Sequence, residues 1–427
     1  MKIVITALGS GGDVFPFIAL GQVLRERGHT VALLANPHFA DAVAQAGLSL
    51  VPLGTEDEYL AALRQPEIWH PRRGFAVIWR QLMELTPRIL ATLEAQIVPH
   101  QTVLVGSTLS LATRLAQERH GLPAAMVHLS PNCFLSAYEF PVTSARPLPS
   151  WMPLWARRVL LAAIDRGMLD ATCARSLNAL RATRGLPPVR SVMRRWLHSP
   201  DLTLGAFPDW FAAPQPDWPA SAVVTGFPRL RTPAESPLPE AVPAFLSAGS
   251  PPLLFTAGTG MTQAHTFFTG ALQTVTALQQ RALFVTRFPE TLPDALPAEV
   301  MVANHLPFDR LLPQVAALVH HGGIGTTAAA LAAGIPQLIV PFAFDQFDNA
   351  ARVVRLGVGR TGATLHPDHC ISQLEPLLHP DPTLTAALRH FQQRMVQTPD
   401  AGALIADQIE ALARARCSSA APLDNDR

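Results

Sequence analysis

Two α/β lobes, each built on a parallel sheet and facing the other across a cleft, are what this sequence predicts, on three observations. Short apolar runs of strand length alternate with helical stretches in both halves of the chain. A stretch at 228–252 that carries Pro233, Pro237, Pro239, Pro243, Pro251 and Pro252, and few periodic apolar residues, interrupts that alternation and reads as a linker. Each half also opens a helix on a glycine turn, GSGGDVF at 9–15 and HHGGIGTT at 320–327. A length of 427 residues suits two domains of about 200 residues each.

In the first half, residues 2–8, 30–35, 48–53, 103–106 and 123–129 are continuous apolar runs, as expected of strands buried on both faces of a parallel sheet. Between the first two, Phe17, Leu20, Val23 and Leu24 make the apolar face of a helix that the RGH at 27–29 ends. From 146 to 199 the pattern turns helical and basic, with ten arginines against Asp165 and Asp170, a net of +8. Trp151, Trp155, Leu160, Leu161 and Trp196 interleave with those arginines. Such a face would suit anionic lipid, but a solvated helical face is the stronger reading of the charge. After the linker, runs at 253–257, 283–285, 300–303, 318–319 and 337–340 restart the alternation. The expected organisation is an N-terminal, acceptor-binding Rossmann-like domain over 1–227, the linker at 228–252, a C-terminal Rossmann-like domain over 253–416, and a mobile tail at 417–427.

Composition excludes several classes. A formal net charge of +1 gives no electrostatic case for nucleic acid. Of the 33 basic residues only Lys2 is a lysine, which excludes a P-loop lysine and a Schiff-base lysine. Cys133, Cys173, Cys370 and Cys417 form no CxxC pair, so a zinc site, an iron–sulfur site or a disulfide framework is not expected, and a reducing compartment fits. The first residues enter a strand at once, and no apolar run reaches the ~18 residues of a membrane span. A cytoplasmic protein is expected, peripheral at the inner membrane face if the basic segment engages lipid.

The chemistry is read from the two glycine turns. Gly322, Gly323 and Gly325 let the backbone approach an anion, and the free N–H groups of the helix that follows point at it. With His321 and Thr326 as side-chain donors, that turn suits a diphosphate held without a metal. One strand and turn later, Asp345 and Gln346 fall on the same sheet edge, where a carboxylate beside an amide suits sugar hydroxyls. In the first turn, Gly9 and Gly11 have the offset of a dinucleotide fingerprint, but Val14 stands where the third glycine belongs, and the second strand ends in Ala35-Asn36 without an acid. That leaves Asp13, beside Gly12, as a carboxylate delivered to the cleft, fit to take a proton from an acceptor hydroxyl. Position alone equally supports an aspartate that caps a helix starting near Val14 or Phe15. The DND at 424–426 mimics a metal-binding motif, and chance in a frayed tail explains it better.

HHGGIGTT, AAGIPQLIVP and DQFDNA, in that order and spacing, resemble the donor-binding signature of GT-B glycosyltransferases that use nucleotide sugars. GSGGDVFPFIAL is similar to the first loop of bacterial sterol, antibiotic and lipid glycosyltransferases, in which the aspartate matching Asp13 is the base. HSP at 198–200, FPDWFAAPQPDWP at 207–219, TGFP at 225–228 and DQFDNAARVVRLGVG extend the likeness to the rhamnosyltransferases of rhamnolipid synthesis.

The resemblance implies that His321, Gly323, Gly325 and Thr326 hold the diphosphate, that Asp345 and Gln346 hold the sugar, and that Thr259 is a further phosphate contact. His305, before Leu306-Pro307, stands where the family carries an aromatic residue that stacks on the base. A partner for the base would fall near Gly106 or Ser107, and neither suits, so Asp13 acts alone or through water. Phe15, Phe17, Trp69, Phe75, Trp79 and Phe134 are candidates for an acceptor groove, about two of them facing it and the rest core. The expectation is an inverting, metal-independent glycosyltransferase without a cofactor, whose donor substrate is a nucleoside-diphosphate sugar, with dTDP-rhamnose to a hydroxyalkanoyloxyalkanoic acid first. Glucosyl transfer from UDP- or dTDP-glucose to a sterol, polyketide or hydroxyacyl lipid comes second. A non-catalytic nucleotide-sugar-binding partner would have no use for Asp13, and a sugar-nucleotide epimerase none for an acceptor groove.

Overall fold

The computed structural model describes the chain except residues 71–72, 145–146, 150, 231–237, 363–365 and 420–427. Two all-parallel sheets carry it. The first has the order β3-β2-β1-β4-β5-β6-β7, with β1 Lys2–Thr6, β2 Thr30–Ala35, β3 Ser49–Pro52, β4 Thr102–Ser107, β5 Ala124–His128, β6 Leu202–Gly205 and β7 Ala222–Val224. The second has the order β10-β9-β8-β11-β12-β13, with β8 Leu253–Thr256, β9 Ala282–Val285, β10 Val300–Ala303, β11 Ala317–His320, β12 Gln337–Ile339 and β13 Gly359–Thr361. Strand order reverses between β1 and β4 and between β8 and β11, and crevices for ligands open at the carboxyl ends of strands at such points. The two glycine turns follow β1 and β11. Apolar clusters cover both faces of each sheet, around Ile3, Val105 and Phe17 on one side of the first and Leu104, Leu90 and Leu115 on the other.

The fold differs from the expectation in four places, each with a physical cause. β6, β7 and β13 are only three or four residues long and carry no period that a sequence window resolves. The helix after β1 starts at Gly11, earlier than expected, because Ser10 is its N-cap and Asp13 reaches back to the Ser10 amide. Within the expected linker, Ala241–Ser247 is a helix that packs Val242 into the second core, while 231–237 lie outside the described residues.

The fourth difference is the last helix, Ala401–Ser419, expected to close the C-terminal domain and give way to a tail at 417. It crosses to the first lobe, where Ile405, Ala406 and Ile409 are fully buried against Val14, Phe17 and Leu20. Arg27 pairs there with Asp407 at 2.6 Å and His29 with Glu410 at 2.9 Å. The rest of the expected tail, with its DND, lies outside the described residues.

The lobes also meet behind the cleft. Phe134, Phe207 and Phe211 of the first share a cluster with Leu331, Ile339 and Val353 of the second. Buried Arg352 donates to Asp348 (2.7 Å), to Glu139 (3.0 Å) and to the Phe211 carbonyl (3.0 Å), while Asp348 accepts from the Val142 amide.

The basic segment is two helices, Leu154–Ile164 and Asp170–Ala182, with a π-turn between them. Part of its charge is used internally. Arg181 is buried against Glu118 at 2.7 Å, and Arg194 lies 3.8 Å from Asp217. Leu161 and Trp196 are buried, contrary to their expected place on a lipid-facing surface: Trp196, on the turn Val192–Trp196, joins Cys173 and Leu177 of the second helix in the cluster that covers one face of the first sheet. Trp151 and Trp155, by contrast, are 79% and 69% exposed. Arg146 lies outside the described residues.

Candidate active site

The glycine turn after β11 divides its two histidines between two tasks. His320 is fully buried, accepts the Gly322 N–H at Nδ1 (3.1 Å) and therefore carries its proton on Nε2, which donates to the Gln337 Oε1 at 3.0 Å. It shapes the turn. His321 follows with its ring closed in by two glycines. A Cβ at Gly258 would stand 2.5 Å from its Cε1, and one at Gly323 2.4 Å from its Nε2. Gly258 has φ +87° and Gly322 φ +93°, where a side chain is strained in any case. Burial pushes His321 down to about 4, against the raising effect of the Thr256 backbone, so it is neutral at pH 7, and its Nδ1 makes no well-formed hydrogen bond among the described residues.

The helix Ile324–Ala333 then begins at Gly323 with no side-chain cap. Its first N–H groups, from Ile324, Gly325 and Thr326, lack helix partners and offer the positive end of the dipole. Gly325 is exposed and nothing stands within 4 Å of where its Cβ would be. The turn is open to an anion from the cleft side.

Asn349, which sequence reasoning passed over inside DQFDNA, ties this turn to the next. It is fully buried and donates from Nδ2 both to the Gly322 carbonyl and to Asp345 Oδ2, each at 2.9 Å. Asp345 stands at the N-cap of the helix Gln346–Arg355, and its Oδ2 also accepts a 2.5 Å hydrogen bond from Ser130 of the first lobe. Burial raises the Asp345 carboxyl above the usual range, against the lowering effect of those two donors. Gln346 is less free than expected: its Oε1 is taken by the Phe342 (2.7 Å) and Ala343 (3.0 Å) amides, which leaves only Nε2 for a ligand.

Asp13 rises from the opposite lobe in the first turn of the helix Gly11–Glu26. Its Oδ2 accepts from the Ser10 amide (2.8 Å) and the Ser10 hydroxyl (3.0 Å), so the capping role weighed from the sequence is real, at N3 of the helix. One oxygen does that work, and Oδ1 has no hydrogen bond among the described residues. Burial lifts the Asp13 carboxyl to about 6, the Ser10 amide opposes that shift, and the charge of Asp345 across the cleft adds to it. The first loops of the lobes abut here. A Cβ at Gly11 would stand 3.0 Å from Thr259 Oγ1, and one at Gly260 3.4 Å from the Ser10 Cβ. Gly12 is exposed beside them.

Asp13 and Gly12 of the first lobe, and Thr259, His321, Gly323, Gly325, Thr326, Asp345 and Gln346 of the second, therefore stand in turns past the carboxyl ends of the two sheets, which meet at Gly11 and Thr259 and at Ser130 and Asp345. His305 is exposed beyond the end of β10, whereas the Leu306 side chain is 2% exposed within the second core, so only its backbone can meet a ligand. Gly106 has no room for a side chain, since a Cβ would come 2.8 Å from Met126 Sδ and Thr113, and the buried Ser107 hydroxyl accepts the Leu8 amide. Of the six aromatic candidates, Phe17, Trp79 and Phe134 are core, while Phe15, Trp69 and Phe75 are half-buried. Trp69 meets Phe344 of the second lobe at 5.9 Å.

Known proteins match this architecture along its length. Residues 3–136 match the glycosyltransferase family 28 N-terminal domain, and residues 282–412 the C-terminal domain of erythromycin biosynthesis protein CIII-like proteins. O-mycaminosyltylonolide 6-deoxyallosyltransferase of Streptomyces fradiae is 33% identical over 374 residues, 84% of each chain. Among solved structures, glycosyltransferase VinC in complex with dTDP has a TM-score of 0.66 at 22% identity, covering 97% of this chain and 100% of its own. Spinosyn rhamnosyltransferase SpnG has a TM-score of 0.67 at 20% identity, covering 96% and 100%. A carboxylate held across a cleft from a glycine-framed helix end is thus set in the fold that these proteins share, and the chain belongs to the GT-B glycosyltransferases, enzymes that transfer a hexosyl group from a nucleotide sugar.

Proposed function

We propose that the protein is an inverting glycosyltransferase that moves L-rhamnose from dTDP-rhamnose to the hydroxyl of a lipid-like acceptor, such as a hydroxyalkanoyloxyalkanoic acid. The observation that carries this reading is the pairing across one cleft of Asp13, a carboxylate whose proton affinity lies near pH 6, with the uncapped helix end behind neutral His321. The acceptor oxygen attacks the anomeric carbon, the bond from that carbon to the diphosphate breaks, and Asp13 takes the acceptor proton. His321, Thr326, Thr259 and the amides at Gly323 and Gly325 stabilise the leaving diphosphate. Asp345 and the Gln346 amide nitrogen bind sugar hydroxyls, and His305 with the Leu306 backbone meets the base. Half-buried Phe15, Trp69 and Phe75 offer apolar surface to an acyl chain. The names of two relatives, a dTDP complex and a rhamnosyltransferase, support the donor. A panel of UDP- and dTDP-sugars, each offered with hydroxyacyl acids and read by mass spectrometry, tests it. A product from UDP-glucose and none from dTDP-rhamnose would reassign the donor.

The charge of the diphosphate is met here by amides and neutral side chains, so turnover is expected to survive EDTA. Loss of activity on chelation, restored by magnesium or manganese, would overturn that and return attention to Asp424 and Asp426.

A lipophilic acceptor is most concentrated at a membrane. No helix among the described residues is long and apolar enough to cross one. Exposed Trp155, Val159 and Met168 nevertheless share a helical hairpin with exposed Arg166 and Arg175, exposed Trp151 stands just before it, and Arg158 ties that hairpin to Tyr138. Each arginine at an anionic surface contributes up to about 1 kcal/mol, screened within a Debye length. Peripheral binding at an inner, cytoplasmic membrane face is the expectation. The protein should sediment with anionic liposomes at low salt and not with neutral ones, and Trp151→Ala with Trp155→Ala should weaken it. Equal recovery in the supernatant under all conditions would show a merely solvated face.

A further inference from the structure

Beneath the cleft floor, three polar side chains form a line that the reaction described above does not use. Thr108 stands just past β4, the neighbour of β1, and so shares the sheet edge from which Asp13 rises. Its Oγ1 lies 3.0 Å from His128 Nδ1, and His128 Nε2 lies 3.0 Å from His198 Nδ1. His128, at the end of β5, is fully buried, and His198 is 4% exposed. Phe134 stacks on His198 at 5.5 Å and meets His128 edge-on at 5.3 Å. Burial keeps both imidazoles neutral at pH 7, with His128 well below the usual range and His198 at about 4. The far nitrogen, His198 Nε2, is buried with no partner among the described residues.

That orphan nitrogen sets the direction of the line. A buried N–H without an acceptor is rarer than an unused lone pair, so the proton of His198 sits on Nδ1 and is donated to His128 Nε2. His128 then carries its own proton on Nδ1, which it donates to Thr108 Oγ1. The Thr108 hydroxyl hydrogen must therefore point away from the histidines. The acceptor it meets there is the Cys133 sulfur, 3.8 Å away, and sulfur is a weak acceptor. Cys133 sits in the turn whose Ser130 holds Asp345, its amide donating to the Ser130 carbonyl at 3.3 Å, so half-buried Thr108 stands between that turn and the sheet edge that carries Asp13.

We propose that Thr108 is a contact for the acceptor hydroxyl, donating a hydrogen bond to one lone pair of its oxygen while Asp13 faces its proton, and that His128 and His198 are positioning residues that aim the Thr108 hydroxyl. No bond forms or breaks at Thr108: it leaves the second lone pair of the acceptor oxygen free for the anomeric carbon. This inference rests on Asp13 as the base, and it gives that base the partner which Gly106 and Ser107 cannot supply.

Thr108→Val keeps the shape and removes the donor. It should lower kcat/KM for the acceptor by about 10- to 100-fold with unchanged affinity for dTDP and UDP, while Thr108→Ser stays within about threefold of the parent. His198→Phe keeps the stack on Phe134 and should cost about 3- to 10-fold, and combining it with Thr108→Val should cost no more than Thr108→Val alone. Parental kinetics in Thr108→Val, or losses that multiply in the double variant, would overturn the proposal. A second measurement needs no acceptor. Long-range proton–nitrogen spectra of histidine-labelled protein at pH 7.5, assigned through His128→Gln and His198→Phe, should show both rings neutral and protonated on Nδ1. Protonation of either on Nε2 would reverse the line and remove its function. If no donor and acceptor pair is turned over by the parent protein, the transferase reading fails, and the tautomers still decide this one.

Discussion

Asp13→Asn is expected to lower kcat by roughly 10²-fold or more, the scale of losing a general base, with the affinity for dTDP or UDP preserved. Full activity in that variant would move the base elsewhere. Asparagine can still accept the Ser10 amide, so the helix start survives, and a buried charge is removed. The pH dependence carries the same signature with a defined sign. An ordinary aspartate would stay ionised down to about pH 4, whereas Asp13, raised to about 6, should make turnover of the parent enzyme fall as pH drops through about 6. Between its ordinary value of 3.8 and about 6 the folded state holds the proton more tightly than the unfolded chain does, so this residue makes the protein less stable as pH rises through that window. Asp13→Asn should consequently melt no lower than the parent at pH 7.5. A lower melting temperature together with weakened dTDP binding would mean that the carboxylate matters as a cap and not as a base.

His321→Ala should lower kcat by about 10²- to 10³-fold, as loss of a donor aimed at developing negative charge does. His321→Gln, which returns an N–H, should recover part of that loss. The neighbouring His320→Ala should act differently. Its ring holds the Gly322 amide and Gln337 inside the core, so its removal should appear first as a lower melting temperature. If both alanine variants lost stability equally and activity only in proportion, the assignment of His321 to the leaving diphosphate would be wrong. Melting curves and kinetics on the two variants, side by side, make the comparison.

The adjacent histidines show where the sequence stops being informative. Strand, glycine turn and helix were legible because apolar runs and glycines act over a few residues, and so was the placing of Asp13, His321 and Asp345 on sheet edges. His321 was already the candidate donor, but what turns His320 inward and makes room for the His321 ring, Gln337 seventeen residues on and Gly258 in another loop, was not legible. Gln346 read as a sugar ligand because its position is right, yet two backbone amides three and four residues earlier claim its carbonyl oxygen. Ser130, Asn349 and the line from Thr108 to His198 were invisible for the same reason: each joins elements far apart in sequence, and no local period marks them. His198 was visible inside HSP without a task, and Leu161 and Trp196 read as surface because charge and aromatic spacing do not say which side of a basic segment is turned inward.

The return of the helix Ala401–Ser419 to the first lobe has a consequence for synthesis. Ile405, Ala406 and Ile409 fill the same cluster as Ile3, Val14 and Leu33, so the core begun by the first strand is completed by residues made about four hundred positions later. Domains emerging from the ribosome generally fold in order from the N-terminus, and contacts of long sequence separation close late. Here the first lobe must wait with an apolar groove along the helix Gly11–Glu26, the helix that presents Asp13, while the second lobe is made. The proposed base is therefore set on its final scaffold only after the second lobe exists. Exchange of lobes between related enzymes faces the same constraint: a cut at the linker alone would separate residues 401–419 from the surface they were selected to cover, so a working chimera must keep that helix with the first lobe.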